Sequence, residues 1–300
     1  MNTSFTYVCN DYAKWLDTLG FAASVLYNHQ CYAKYFFEYL HTKKNVTALN
    51  AITQSHVYSY FEYLQQRKNK KRKGTLSTPS LNCIFAAIDK LCEYLNQMGV
   101  TAAPSPTNFR IAEDKLAAIN KIQPFTIDEI KTLQSNIINT YSDAPFKQRE
   151  AIHEDLKLIF ALYYGCGLRR SEGYKLTAND IDFDKKTIFV QQGKNYKDRI
   201  VPMSAAVCKV VENYVYNYRN LLKLKHNRLF ISTTKTMTEH LKKLQAITNC
   251  NAIQSKRLSL HILRHSIATH LLQKGMSMEQ IGRFLGHSSL NTTQLYTHLI

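Results

Sequence analysis

One stretch divides this 300-residue chain in two. "GVTAAPSPTNFRIAEDKLAAINKIQPF" runs from Gly99 to Phe125 with Pro104, Pro106 and Pro124 along it. Proline cannot donate to a helix or a sheet ladder, and alternating small residues offer no apolar face, so no regular element is expected to cross it. The apolar patterns on either side must then be buried separately. The expected organisation is a first domain over residues 1–105, a linker over 106–121 and a second domain over 122–300.

On the N-terminal side apolar residues recur at helical spacing. Val8, Tyr12, Trp15, Leu16 and Leu19 form one stripe, and Ile84, Ile88, Leu91 and Leu95 another. With "SVLYNHQCYAKYFFEYLHTK" and "SHVYSYFEYLQQR" between them, the spacing predicts four or five helices. Two of these are joined by the run Arg67, Lys68, Lys70, Lys71, Arg72 and Lys73. Such a run is a solvated loop that is also suited to gripping phosphates by counterion release. On the C-terminal side Thr126 reads as an N-cap, and a long helix is expected from Arg149 to Tyr164. "KTIFVQQ" and "RIVPM" then read as two short strands joined by "GKNYKD", with helices resuming at Ala205. The fold class is mainly α with a small β-hairpin, the second domain being α+β.

With 45% hydrophobic and 20% charged residues the chain can bury real cores. No apolar run approaches the roughly 18–20 residues of a membrane helix, and "MNTSFTYVCNDYAKW" lacks a secretory signal's features, so a cytoplasmic protein is expected. The seven cysteines contain no C-x-x-C pair, which argues against a disulfide framework or a cysteine zinc site and for reduced core thiols. The charge is more informative. Thirty-nine basic against 22 acidic residues give +17. Residues 1–105 carry 11 basic and 6 acidic side chains, and residues 122–300 carry 25 and 14. Both regions are basic, as in a protein that holds a polyanion between two lobes. Charge alone leaves RNA, DNA and acidic membranes open, with nucleic acid the expected partner.

Four clusters in the second region could carry chemistry: "GCGLRRSEG" with Arg169 and Glu172, the hairpin with Lys194, "HILRHSIATHLL" with His261 and Arg264, and "LGHSSLNTTQLYTH" with His287 and Tyr296. Cutting a phosphodiester without a metal needs this inventory. Two guanidiniums hold the non-bridging oxygens in bidentate geometry and neutralise developing charge. Histidines add donors or move a proton, and a lysine near other cations protonates the leaving oxygen. A tyrosine oxygen attacks phosphorus, with help from a base or a strong field because its free pKa is about 10.

At these motifs the chain resembles the tyrosine recombinases of the phage-integrase type. The resemblance rests on "GLRRSE" (167–172), "GKNYKDRIVP" (193–202), "HILRHSIATHLL" (261–272) and "LGHSSLNTTQLYTH" (285–298), in the family's order and with nine residues from His287 to Tyr296. It implies that Arg169 and Arg264 clamp the scissile phosphate, that His261 helps take the tyrosine proton and that Lys194 protonates the departing 5′-oxygen. His287 would contact the phosphate, Tyr296 would form a 3′-phosphotyrosyl link, and Glu172 would brace the site. It further implies a SAM-like helical core DNA-binding domain, a C-shaped two-domain clamp on double-stranded DNA, and four protomers exchanging strands through a Holliday junction. No cofactor, ATP or metal is expected.

Other readings accompany these residues. His261 and His265 have the spacing of a helical zinc pair, but the arginine between them repels a cation and H-E-x-x-H is absent. His265 is expected to pack or support the site, and His270 to lie in the core or on the surface. Lys197 and Arg199 compete with Lys194 for the acid role, with Lys194 favoured. Arg170 and Gly173 stand where relatives usually have apolar residues, and "GKNYK" lacks a second glycine after the lysine. The chain stops four residues after Tyr296, where many relatives continue into a helix. Helical patterning begins close to Met1, so no arm-binding module is expected, and a simple recombinase or mobile-element integrase is the expected kind. A type IB topoisomerase-like enzyme and a silent DNA-bending protein are the rival functions.

Overall fold

The structure, a computed structural model, describes residues 3–69, 73–100, 103–113, 123–191, 198–219, 224 and 226–286. The chain divides into two compact units, Met1–Asp114 and Lys115–Ile300. The described residues are mainly helical with one small antiparallel sheet.

The first unit packs α1 (Thr3–Thr18), α2 (Ala23–Lys44), α3 (Gln54–Gln66) and α4 (Thr78–Gln97). Aromatic rings fill much of its core: Phe5 stacks on Phe37 at 4.6 Å and Phe61 on Phe85 at 4.1 Å between centroids. A buried phenol needs a partner, and the Tyr12 hydroxyl finds one by donating to the Ala87 carbonyl at 3.0 Å.

Part of the stretch expected as a linker lies against this unit. Asp89 is buried on α4, and the Thr107 amide and hydroxyl donate to its Oδ1 at 2.7 and 2.9 Å. Arg110 donates to its Oδ2 at 2.8 Å, and the Ile111 amide donates to Asn82 at 2.9 Å. Residues 103–113 form no helix or strand and yet are packed, so proline-rich composition does not mean a lack of packing. The sequence signal for this docking was the carboxylate inside the apolar stripe of α4, which needs a partner from outside the helix.

In the second unit α5 (Ile127–Ser135) begins with a capping box: the Glu129 amide donates to Thr126 Oγ1 and the Thr126 amide to Glu129 Oε2. The next helix, α6 (Phe146–Ile159), starts earlier than expected and passes into a π-helical turn, Phe160–Gly165. After α7 (Arg170–Lys175) come three strands in the order β1-β2-β3: β1 (Ile181–Asp182), β2 (Thr187–Val190) and β3 (Arg199–Pro202). Ile188 of β2 pairs with both Ile181 and Val201. The two expected strands are present. The third, β1, has only two residues, too few to show alternation in the sequence. Then follow α8 (Ala205–Asn213) with a π-helical continuation, Tyr214–Tyr218, α9 (Thr234–Ile247), α10 (Asn251–Gln254), α11 (Leu260–Gln273) and α12 (Met278–Leu285).

Tyr163 and Tyr214 are core residues and Tyr216 is exposed. All seven cysteines are free thiols, four of them buried, although Cys83 is exposed rather than in a core. No helix among the described residues is long and apolar enough to cross a membrane.

Asp155 on α6 is fully buried, with the Tyr214 hydroxyl donating to it at 3.3 Å and His240 Nδ1 3.9 Å away. Burial pushes its carboxyl up to about 6, against the lowering effect of hydrogen bonds from Ser232 and Tyr214. The folded state therefore binds this proton more tightly than the unfolded chain does. Stability is lost as pH rises through about 6 and regained as it falls towards the ordinary carboxylate range. Asp155→Asn is expected to raise the urea midpoint at pH 8, where the buried charge is removed, and to give little gain at about pH 3.5, below the ordinary carboxylate value. An equal shift at both values would contradict the buried-charge account.

Candidate active site

The site is built outward from one carboxylate. Arg169 caps the short helix α7, and Glu172 sits three residues on, at the position whose side chain can reach back to the cap. The Arg169 amide donates to Glu172 Oε2 at 2.7 Å and its Nη1 to Oε1 at 2.6 Å. From β3, Arg199 donates through Nη1 and Nη2 to the two oxygens of Glu172, each at 2.8 Å. Arg264 from α11 stands 4.0 Å from Glu172 Oε2. Burial alone would raise the Glu172 carboxyl. The hydrogen bonds and charge of Arg199, with the Arg169 amide and guanidinium, overcome it and hold the group at about 2. Three guanidiniums around one ionised carboxylate leave the cluster with excess positive charge, the field that a phosphate diester requires.

The same arginines hold the backbone. Arg169 Nη2 donates to the Gly286 carbonyl, while Arg264 donates to the carbonyls of Gly167 and, at 2.7 Å, Leu285. The end of α12 is thereby bound to the turn before α7, although these segments lie more than a hundred residues apart in sequence. Two glycines permit the close approach. At Gly167 (φ +58°) a Cβ would meet Leu285 Cδ2 at 2.7 Å, and at Gly286 (φ +69°) it would meet Arg199 Cδ and Nε at 2.8 Å. Gly173 leaves room for Tyr163: a Cβ there would lie 2.7 Å from that ring's Cζ and hydroxyl. Arg170 is exposed and donates to Thr234 Oγ1 at 2.8 Å.

His261 lies in the first turn of α11, open to solvent, with its ring edge-on to His265 at 4.4 Å. Its pKa is lowered by the surrounding protein and then by the Arg264 charge; its exposure limits the first of these. Both effects favour the neutral ring. His265 is buried, as is His270, which shares a 3.0 Å hydrogen bond with the Tyr164 hydroxyl. Among the described residues no group of histidine, cysteine and carboxylate side chains could hold a metal ion.

The structure thus brings Arg169, Glu172 and Arg264 together, with His261 one turn of helix before Arg264. Lys194, Lys197, His287 and Tyr296 lie outside the described residues, as do Lys70, Lys71 and Arg72 of the basic run. Of that run, Lys68 and Lys73 are exposed and Arg67 is half-buried. Arg199 was a rival for the acid role in the sequence, but its guanidinium is engaged with Glu172 and its side chain is only 12% exposed. The signal for its true position was strand alternation: Arg199 lies two residues before the buried Val201, on the inward side of β3.

Comparisons with known proteins identify the family. Residues 126–300 match the model of the phage integrase family. The tyrosine recombinase XerA of Thermococcus onnurineus is 36% identical over 158 residues, a match that covers 51% of this chain and 52% of that protein. A tyrosine recombinase of Pseudothermotoga lettingae is 28% identical over 257 residues, covering 86% of this chain and 82% of its own. Among solved structures, the XerH site-specific recombinase bound to its palindromic difH substrate in a post-cleavage complex superposes with a TM-score of 0.68. That likeness, at 19% identity, covers 91% of this chain and 76% of XerH and concerns the fold. With more than half of its length matched by the family model and the arginine–carboxylate cluster inside the matched region, the chain belongs to the phage integrase family, the tyrosine recombinases.

Proposed function

We propose that this protein is a site-specific DNA recombinase or integrase acting in the cytoplasm, cutting and rejoining strands through a 3′-phosphotyrosyl intermediate. The observation that carries the reading is the convergence of Arg169 and Arg264 on the Glu172 carboxylate, with the chain held at Gly286 immediately before His287.

In this reading Arg169 and Arg264 hold the non-bridging oxygens of the scissile phosphate and stabilise its developing charge. Tyr296 Oη attacks phosphorus as neutral His261 takes up its proton, and the P–O5′ bond breaks. Lys194 protonates the departing 5′-oxygen. His287 donates to the phosphate, and Glu172 braces both the arginines and the turn that carries Arg169. The phosphotyrosine conserves the energy of the broken bond, so a 5′-hydroxyl from another strand can attack it and release the tyrosine without ATP. Two rounds of this exchange among four protomers pass through a Holliday junction. The basic first unit adds phosphate contacts, including those of Arg67, Lys68, Lys70, Lys71, Arg72 and Lys73. The names of the relatives favour exchange between two duplexes over relaxation of one.

Incubation with nicked duplexes tiling the DNA that flanks its gene, in EDTA, is expected to give a protease-sensitive covalent adduct on denaturing gels. Tyr296→Phe should bind the same DNA and form none. Failure of every tile to trap the protein, or an adduct that survives Tyr296→Phe, would contradict the reading. The leaving-group role has its own test. Lys194→Ala should slow cleavage by about 10²–10⁴-fold and recover on DNA whose bridging 5′-oxygen is replaced by sulfur, because a thiolate leaves without a proton. Equal loss on both substrates would remove Lys194 from that role.

A further inference from the structure

We infer that Arg199 is a positioning residue for strand cleavage: it fixes Glu172 so that the carboxylate orients Arg169, and it supports the backbone at Gly286 from which the segment bearing His287 and Tyr296 departs. The inference rests on the reading above and extends it to a residue outside the six proposed to act on the phosphate or the leaving group.

Three observations carry it. Arg199 makes a two-pronged ion pair, Nη1 to Oε1 and Nη2 to Oε2, both at 2.8 Å, and so fixes the plane of the Glu172 carboxylate as well as its charge. Through those same two oxygens Glu172 accepts from the Arg169 amide and from Arg169 Nη1, at 2.7 and 2.6 Å. The rotamer of one proposed phosphate-binding arginine is therefore set by a plane that Arg199 defines. Finally, the Arg199 side chain lies against Gly286, where a Cβ would meet its Cδ, Nε and Cζ at 2.8–2.9 Å. Gly286 also accepts a hydrogen bond from Arg169. One guanidinium thus bears on both Arg169 and the start of the segment that carries the nucleophile. Since both of its Nη groups face Glu172 and little of it is exposed, Arg199 acts through its neighbours rather than on DNA.

Lysine keeps the charge but cannot form the two parallel bonds, so Arg199→Lys separates geometry from charge. Single-turnover adduct formation on the trapped nicked duplex is expected to slow about 10-fold in Arg199→Lys and about 100-fold in Arg199→Gln, the scale of a small misplacement of a catalytic group. DNA affinity should stay within about 3-fold, because no contact with DNA is lost. The pH profile supplies the readout that a simple loss of folding would not give. Without its guanidinium partner Glu172 protonates more readily, so the acid limb of cleavage by Arg199→Gln should lie at higher pH than that of the unsubstituted protein. Adding Glu172→Gln to Arg199→Gln should cost little further rate. Circular dichroism confirms that each variant is folded, and Arg199→Lys serves if Arg199→Gln is not. A folded Arg199→Lys with unchanged rate and pH profile overturns the inference, as does a loss of rate matched by an equal loss of DNA affinity. If the unsubstituted protein forms no adduct, the recombinase reading fails and this inference fails with it. A normal adduct beside an unaffected Arg199 variant removes this inference alone.

Discussion

The arrangement of this site depends on one buried anion. Glu172 has a side chain only 3% exposed, and an isolated carboxylate in that position would protonate. It stays ionised because Arg199, Arg169 and the Arg169 amide surround it, with Arg264 at 4.0 Å. Its folded pKa, depressed to about 2, means that the associated stability is present above the ordinary glutamate value of 4.5 and is lost progressively as pH falls from there through about 2. Removing one partner of such a pair costs on the order of 3–5 kcal/mol, since the other is left buried and uncompensated. Four segments meet at this carboxylate or at the arginines it holds: the turn before α7, β3, α11 and the end of α12.

Under the proposed function that convergence matters, because phosphoryl transfer is catalysed mainly by placement and field. Flexible arginines on a surface would lose entropy and reorganise each time a phosphate arrived. Here the guanidiniums of Arg169 and Arg264 are already fixed by a carboxylate and by the carbonyls of Gly167, Leu285 and Gly286. The glycines at 167 and 286 make this possible, since any side chain at either would collide with Leu285 or Arg199. In the proposed function, the arginines that bind phosphate also set where the chain leaves towards Tyr296.

Much of this was legible in the sequence, and the reasons for the exceptions are physical. Helical periodicity placed α1 to α4, and the Thr126–Glu129 pair marked the start of α5, because burial and capping act over a few residues. The motifs around Arg169, His261 and Arg264 stood out because they gather residue types suited to holding a phosphate, and the structure brings Arg169 and Arg264 to one carboxylate. Three features were not. The docking of Thr107, Arg110 and Ile111 on α4 depends on a distant carboxylate that local composition cannot report. A two-residue strand, β1, is too short to have a period. The pairing of Arg199 with Glu172 joins residues 27 apart, and in the sequence a basic residue beside Lys194 resembled a second proton donor. Its inward place in β3, two residues before Val201, distinguishes it.

The central claim is that Glu172 is an ionised anchor for the arginine cluster, and a carbon-13 titration of the glutamate side-chain carboxyls tests it most directly. The Glu172 resonance, assigned by its absence in Glu172→Gln, is predicted to keep its ionised shift from pH 7 to pH 4, consistent with a group held at about 2. A midpoint near 4.5, the ordinary glutamate value, would show that the arginines do not grip it and would contradict the account.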